Sequence, residues 1–319
     1  MLVLGATGTI GQATVRALVR RGHDVVCLVR ASTAPREGAP TLAGAVIRFG
    51  DVTDPASVGR DGIRGERFDA ILSCLASRTG SPRDAWAIDH QAQLDALAAA
   101  RAAGIPHMIL LSAICVQKPR LAFQHAKLAF EQALATSGLT YSIVRPTAFF
   151  KSLSGQIDRV RRGKPYLLFG DGTLTACKPI SDADLGDYLA GCLNDRARHN
   201  RILPIGGPGA AITPRQQGER IFALLGRPPR FRYVPVRMLD IIFALLSTLG
   251  RLVPSLADKA NLARIGRYYA TESMLVLDSS TGRYEAESTP STGSDTLFDF
   301  YARLIADQTD VDRGDHAVF

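Results

Sequence analysis

The chain has 319 residues, enough for one large domain or up to two ordinary ones. Apolar residues at 46% and charged residues at 21% are ordinary globular values and exclude wholesale disorder. A formal charge of +8 favours an anionic partner, and no basic-aromatic array or recognition-helix pattern makes nucleic acid that partner.

No stretch reaches the roughly 18 consecutive apolar residues needed to cross a bilayer. The chain opens directly in the strand-like run Met1-Leu2-Val3-Leu4, so no secretory leader is expected. The cysteines (Cys27, Cys74, Cys115, Cys177 and Cys192) are scattered and lack metal-ligand spacing. They predict neither a disulfide framework nor a metal site, and they fit a reducing cytoplasm.

Short β-branched runs alternate with helical patterns through the first half, which predicts an α/β fold, a Rossmann-type doubly wound parallel sheet. The strand candidates are 1–4, 24–29, 45–49, 70–74, 107–112 and 141–144, with helices expected over 10–21, 85–103 and 121–137. Gly22, Gly104 and Gly138 each fall just past a helix end, where a left-handed residue is wanted. Helices follow over 155–162 and 182–193, and a returning strand over 202–205. Beyond it the chain reads as mainly helical over 214–225, 236–249 and 295–306. These patterns divide the chain into a nucleotide-binding domain, 1–205, and a smaller substrate-capping lobe, 206–319.

The first strand runs straight into Gly5-Ala6-Thr7-Gly8-Thr9-Ile10-Gly11, which opens a helix. Gly5 permits the tight turn, Gly8 lets backbone approach a pyrophosphate, and Gly11 lets helix and strand pack closely. Free N–H groups of the loop and helix start, from Gly5 through Thr7, Thr9 and Ile10, then face the anion. A carboxylate at the end of the second strand would select NAD; Arg30 stands there instead, with Ser32 nearby, and suits the 2′-phosphate of NADPH. Asp51 and Val52 follow the third strand, where an acid can receive the adenine amino group or merely cap a turn. Leu75, Ala76 and Ser77, after the fourth strand, are small enough to pass beneath a nicotinamide ribose.

These features resemble the short-chain dehydrogenase/reductase superfamily, whose active site is Ser…Tyr-xxx-Lys. Ser112 and Lys127 match it as the catalytic pair, but Phe123 stands where the tyrosine should be. Carbonyl reduction needs a proton donor at the developing alkoxide, and phenylalanine cannot donate. Attack on a conjugated carbon–carbon double bond remains open, because the charge can spread into the substrate's π system.

Longer blocks sharpen the resemblance: Leu111-Ser112-Ala113-Ile114-Cys115-Val116-Gln117-Lys118-Pro119, then 144–153, 169–172, 177–181, 203–209 and 265–270. In this order they resemble the NADPH-dependent divinyl chlorophyllide 8-vinyl reductases, atypical short-chain reductases of photosynthetic organisms. The resemblance implies NADPH-driven reduction of an 8-vinyl group to ethyl on a chlorophyllide or protochlorophyllide. It places the tetrapyrrole between the 113–119 loop and the 147–153 segment, with Pro146 and Thr147 beside the cofactor. Cys115, Gln117, Phe123, Phe149 and Phe150 would line the pigment, and Lys118 or Lys151 would meet its propionate. A reductase of another conjugated alkene and a non-catalytic NADPH-binding assembly protein are the alternatives. The apolar segment 238–249 is expected to be a core or lid helix, with peripheral membrane docking as the lesser option beside Arg227, Arg230, Arg232 and Arg237.

Overall fold

A computed structural model of the chain describes residues 1–33, 42–249 and 254–306. The first half builds β1 (Leu2–Leu4), α1 (Thr9–Arg20), β2 (Val26–Val29), β3 (Val46–Phe49) and β4 (Ala70–Ser73). It continues through α2 (Pro82–Ala85), α3 (Ala92–Ala102), β5 (His107–Leu111), α4 (Ala122–Ala135) and β6 (Thr140–Pro146). Then come α5 (Phe150–Leu153), α6 (Ile157–Arg161), β7 (Tyr166–Phe169), α7 (Asp182–Gly191) and β8 (Arg201–Ile205). Last are α8 (Pro214–Leu224), β9 (Phe231–Val234), α9 (Val236–Leu249), α10 (Pro254–Thr271), β10 (Val276–Leu277), β11 (Tyr284–Glu285) and α11 (Leu297–Ala306).

Among the described residues the main sheet runs β3-β2-β1-β4-β5-β6-β8, all its neighbours parallel. A parallel sheet must be covered on both faces, and the strands supply apolar side chains to each. In β5, Ile109 and Leu111 join the layer under α1 and α7, while Met108 and Leu110 join the layer under α3 and α4. Gly22, Gly104 and Gly138 all take positive φ, which ends α1, α3 and α4 as the sequence predicts. The doubly wound fold is the expected one.

The structure departs from expectation at several elements, three of which bear on the site. The single helix expected over 85–103 is α2, then a π-helical turn at Trp86–Gln91, then α3. The wider turn rotates Asp89 inward, where it is 1% exposed. A second small sheet, unforeseen in the sequence, pairs β7 with β9 in parallel. Its core joins Phe150, Ile157 and Leu168 to Phe222, Leu297 and Tyr301, residues from both sides of position 205. Finally, α10 was not expected as a helix, and it crosses back over the carboxyl edge of the main sheet to meet the loop after β5.

Candidate active site

The glycine loop is built for close approach. Gly5 has φ of 73°, and a Cβ on Gly11 would lie 2.1 Å from Gly5 O, so strand and helix meet backbone to backbone. A Cβ on Gly8 would meet nothing nearer than Gly5 O at 3.6 Å, which leaves open space over the loop. Gln12 Nε2 braces the turn by donating to Thr7 O at 2.8 Å, while Thr7 and Thr9 are exposed and Ile10 is buried. This cradle at the start of α1 fits a dinucleotide pyrophosphate.

At the neighbouring strand ends, Arg30 and Ser32 are exposed, and the Asp51 carboxylate lies within electrostatic reach of Arg30. Thr53 donates to Asp51 Oδ1 from its N–H at 3.0 Å and its hydroxyl at 2.8 Å. These bonds hold the Asp51 carboxyl below its ordinary range and make it a turn cap in this structure. Val52 turns its side chain into the core, so only its backbone faces the strand ends.

Lys127 is placed by α4, one turn after Phe123, with its side chain 11% exposed. Its ammonium pairs with Asp89 Oδ1 at 2.8 Å, and the same oxygen accepts from Ser77 N at 3.3 Å. Asp89 therefore ties Lys127 to the Leu75-Ala76-Ser77 loop, while its Oδ2 is buried without a hydrogen-bond partner. Sequence reasoning missed Asp89. Asp84 and Asp95 flank it and His90 and Gln91 follow it, so nothing in the sequence sets it apart.

Ser112, 5% exposed, gives its hydroxyl to Glu131 rather than to the cleft. Glu131 in turn pairs with Arg145, whose Nε lies 3.2 Å from each carboxylate oxygen. The serine that the resemblance marks as catalytic is here part of a buried ion-pair network between β5, α4 and β6.

An apolar cluster lies where the loops after β5 and β6 meet α10. It holds Ile114, Cys115, Leu121, Cys177, Ile265, Tyr268 and Met274, with Ala113, Phe123, Ala148, Leu153 and Tyr269 packed against it. This cluster lies between the 113–119 loop and the 147–153 segment, where the resemblance puts the pigment. Not every expected lining residue reaches it. Phe150 is 3% exposed and packs on Phe300 of α11, and half-buried Phe149 packs on the main core. Gln117 spends both ends of its amide on backbone, donating to Leu275 O and accepting from Leu277 N, each at 2.9 Å. The Thr147 hydroxyl donates to Lys178 O, next to buried Pro146.

The two candidate propionate anchors differ. Lys118 Nζ lies 2.7 Å from Glu272, which also takes Arg120 at 2.9 Å and the Tyr284 hydroxyl at 2.8 Å. Two cations on one carboxylate leave net positive charge at the rim of the cluster. Lys151 is half-buried beside Asp182, whose carboxyl is pushed up by burial and held back by Lys151 and Arg16. Asp182 Oδ1 is buried without a hydrogen-bond partner.

Fold and glycine loop define a dinucleotide-binding protein, and residues 5–196 match the NAD(P)H-binding family. The chain is 51% identical to the divinyl chlorophyllide a 8-vinyl-reductase of Oryza sativa subsp. indica, over 96% of this chain and 78% of that protein. Identity to the protein of the same name from Arabidopsis thaliana is 47%, over 96% of this chain and 76% of that one. The chain belongs to the divinyl chlorophyllide a 8-vinyl-reductase family. Both relatives are named as chloroplastic, so they do not carry the expectation of a plain cytoplasmic setting. Among solved structures, the leucoanthocyanidin reductase–NADPH complex from Vitis vinifera matches with a TM-score of 0.68 at 14% identity, covering 96% of this chain and 99% of that one, a likeness of fold.

Proposed function

We propose that this protein is an oxidoreductase acting on a CH–CH group, reducing the 8-vinyl substituent of a divinyl chlorophyllide or protochlorophyllide to ethyl at the expense of NADPH. The observation that carries the reading is the 51% identity to a reductase of that name across nearly the whole chain. The residues agree with it. Phe123 removes the phenol that carbonyl reduction requires, whereas a vinyl group conjugated to a macrocycle can accept hydride and spread the charge.

When bound, NADPH supplies the hydride. The Gly5–Gly11 loop holds its pyrophosphate, Arg30 and Ser32 its 2′-phosphate, and Lys127, fixed by Asp89, its nicotinamide ribose. The apolar cluster around Cys115 and Phe123 receives the macrocycle, and Lys118 with Arg120 or Lys151 takes the propionate. The decisive test is an absorbance assay with purified protein, NADPH and divinyl chlorophyllide. A Soret shift with stoichiometric NADPH oxidation is expected, and nucleotide binding without turnover would leave an assembly protein instead.

Replacing Arg30 with Asp should reverse the NADPH preference. Losing charge-assisted bonds to a phosphate costs about 1.5–3 kcal/mol, roughly a 10- to 100-fold fall in kcat/KM for NADPH. An unchanged ratio of NADPH to NADH turnover would remove Arg30 from the 2′-phosphate site.

Among the described residues no helix is long and apolar enough to cross a membrane. Yet Met238, Ile241, Ile242 and Leu245 of α9 are exposed at helical spacing, close in sequence to the exposed Arg232 and Arg237. We assign this face to shallow contact with an anionic photosynthetic membrane, which flotation with anionic liposomes checks.

A further inference from the structure

Adding hydride to one carbon of a vinyl group leaves an electron pair on the other, and a proton must reach it. In this chain the residue that would ordinarily donate has become Phe123. The geometry around Phe123 shows what has moved into its neighbourhood. A Cβ placed on Gly80 would lie 3.5 Å from Phe123 Cδ1 and 3.1 Å from Ile265 Cδ1, so Gly80 borders both Phe123 of α4 and Ile265 of α10, which pack into one cluster. Tyr269 follows Ile265 by four residues, which puts both on one face of α10. Both pack into the same cluster as Phe123, Ala113 and Ala148, at the carboxyl ends of β5 and β6.

The protic side chains of that cluster are Tyr268, Tyr269, Cys115 and Cys177, and they are not equivalent. The Tyr268 hydroxyl is anchored on backbone, 2.8 Å from Cys115 O and 3.1 Å from Lys118 O. Burial pushes the Cys177 thiol up to about 12, and its sulfur lies 3.8 Å from Ile212 O. Cys115 is 4% exposed, and its thiol too is pushed up by burial. Tyr269 differs, because its phenol lies against the Cys115 thiol, a weak acceptor that does not lock the O–H as a carbonyl would. The Lys127 charge is felt at that same thiol.

Resting on the vinyl-reductase reading, we infer that Tyr269 is the proton donor of the reaction, replacing from α10 the phenol that α4 lacks at Phe123. The C–H bond at the nicotinamide C4 breaks, and its electron pair forms a C–H bond at the terminal vinyl carbon. The vinyl π pair moves to the carbon attached to the ring and into the macrocycle. The Tyr269 O–H bond then breaks, its proton bonds to that carbon, and water returns a proton to the phenolate. Burial holds the Tyr269 phenol well above its ordinary range, so the donor is fully protonated in neutral solution. A carbanion is a far stronger base than a phenolate, so a weak acid suffices.

The test compares wild type with Tyr269→Phe and with 3,5-difluorotyrosine incorporated at the same position, using full-length protein, NADPH and divinyl chlorophyllide. Tyr269→Phe should lower kcat about 100-fold or more, the usual worth of a positioned acid, while NADPH and pigment affinities read by fluorescence stay within about twofold. The fluorinated phenol preserves shape and is the stronger acid, so kcat at neutral pH and its solvent deuterium isotope effect should both move from the wild-type values while the affinities hold. That second variant decides the matter even where Tyr269→Phe folds poorly, because a packing role would leave both in place. An unmoved kcat and isotope effect, a kcat within about threefold of wild type for Tyr269→Phe, or a loss confined to pigment affinity overturns the inference. Wild type that fails to reduce the pigment would remove the parent reading and this one together; wild-type turnover with an indifferent Tyr269 removes this one alone.

Discussion

Replacing Gly11 with Ala is expected to lower NADPH affinity about 10- to 100-fold, because forcing an extra carbon into a closed contact costs on the order of 1–3 kcal/mol. The added Cβ would sit 2.1 Å from Gly5 O, 2.9 Å from Ala6 Cα and 3.0 Å from Gly5 C. All three are backbone atoms, so no side-chain rotation can relieve the clash. Either α1 tilts away from β1 or the loop opens, and both movements spread the N–H groups that would converge on a pyrophosphate. Gly8→Ala provides the contrast. Its Cβ has room within the protein, with only Gly5 O at 3.6 Å, so the fold should keep its melting temperature. Its methyl group occupies the space over the loop, so nucleotide binding should still weaken. Fluorescence titration with NADPH beside thermal melting separates the two effects. A Gly11→Ala protein that binds NADPH like wild type would show that the loop is not the nucleotide cradle.

How far the sequence disclosed this arrangement depends on the range of the interactions. The strands of the main sheet were legible because burial on both faces demands unbroken apolar runs, as in His107-Met108-Ile109-Leu110-Leu111. The cradle was legible because its constraint is local: three glycines, a strand before them and a helix after. Asp89 was not. Its partner Lys127 lies on another helix, and what brings them together is a π-helical turn that leaves no mark in the apolar spacing. The β7–β9 pair was missed for a related reason, since short strands far apart in the chain carry no turn signal to connect them. Helix α10 holds Gly266 in mid-course and lacks a clean apolar stripe, so its pattern does not read as helical. That omission mattered most, because α10 carries Tyr268 and Tyr269 into the cluster. Residues taken from family resemblance divided by local environment. Cys115 and Phe123 pack into the cluster, whereas Phe150 packs with Phe222 and Tyr301 and Gln117 stitches the loop to β10.

Glu131→Ala is expected to destabilise the fold by about 3–5 kcal/mol, because it strands a buried cation. Glu131 is 3% exposed and accepts from Ser112 Oγ and from Arg145, whose own side chain is 16% exposed. Without the carboxylate, Arg145 loses its paired charge while still enclosed between β6 and α4. Urea unfolding should therefore show a lower midpoint with an unchanged slope. Replacing both members, Glu131→Leu with Arg145→Met, should recover much of the loss, since no charge is then left without a partner. The same network fixes what Ser112 does. Its hydroxyl is one donor to a buried carboxylate that Arg145 already neutralises, so Ser112→Ala should cost about 1–3 kcal/mol of stability. Its effect on kcat should stay within about threefold, far below the factor of about 100 or more expected of a group acting on the reacting atoms. A large fall in kcat with unaltered unfolding would return the serine to the chemistry, and would mean that its hydroxyl turns from Glu131 toward the substrate when the pigment binds.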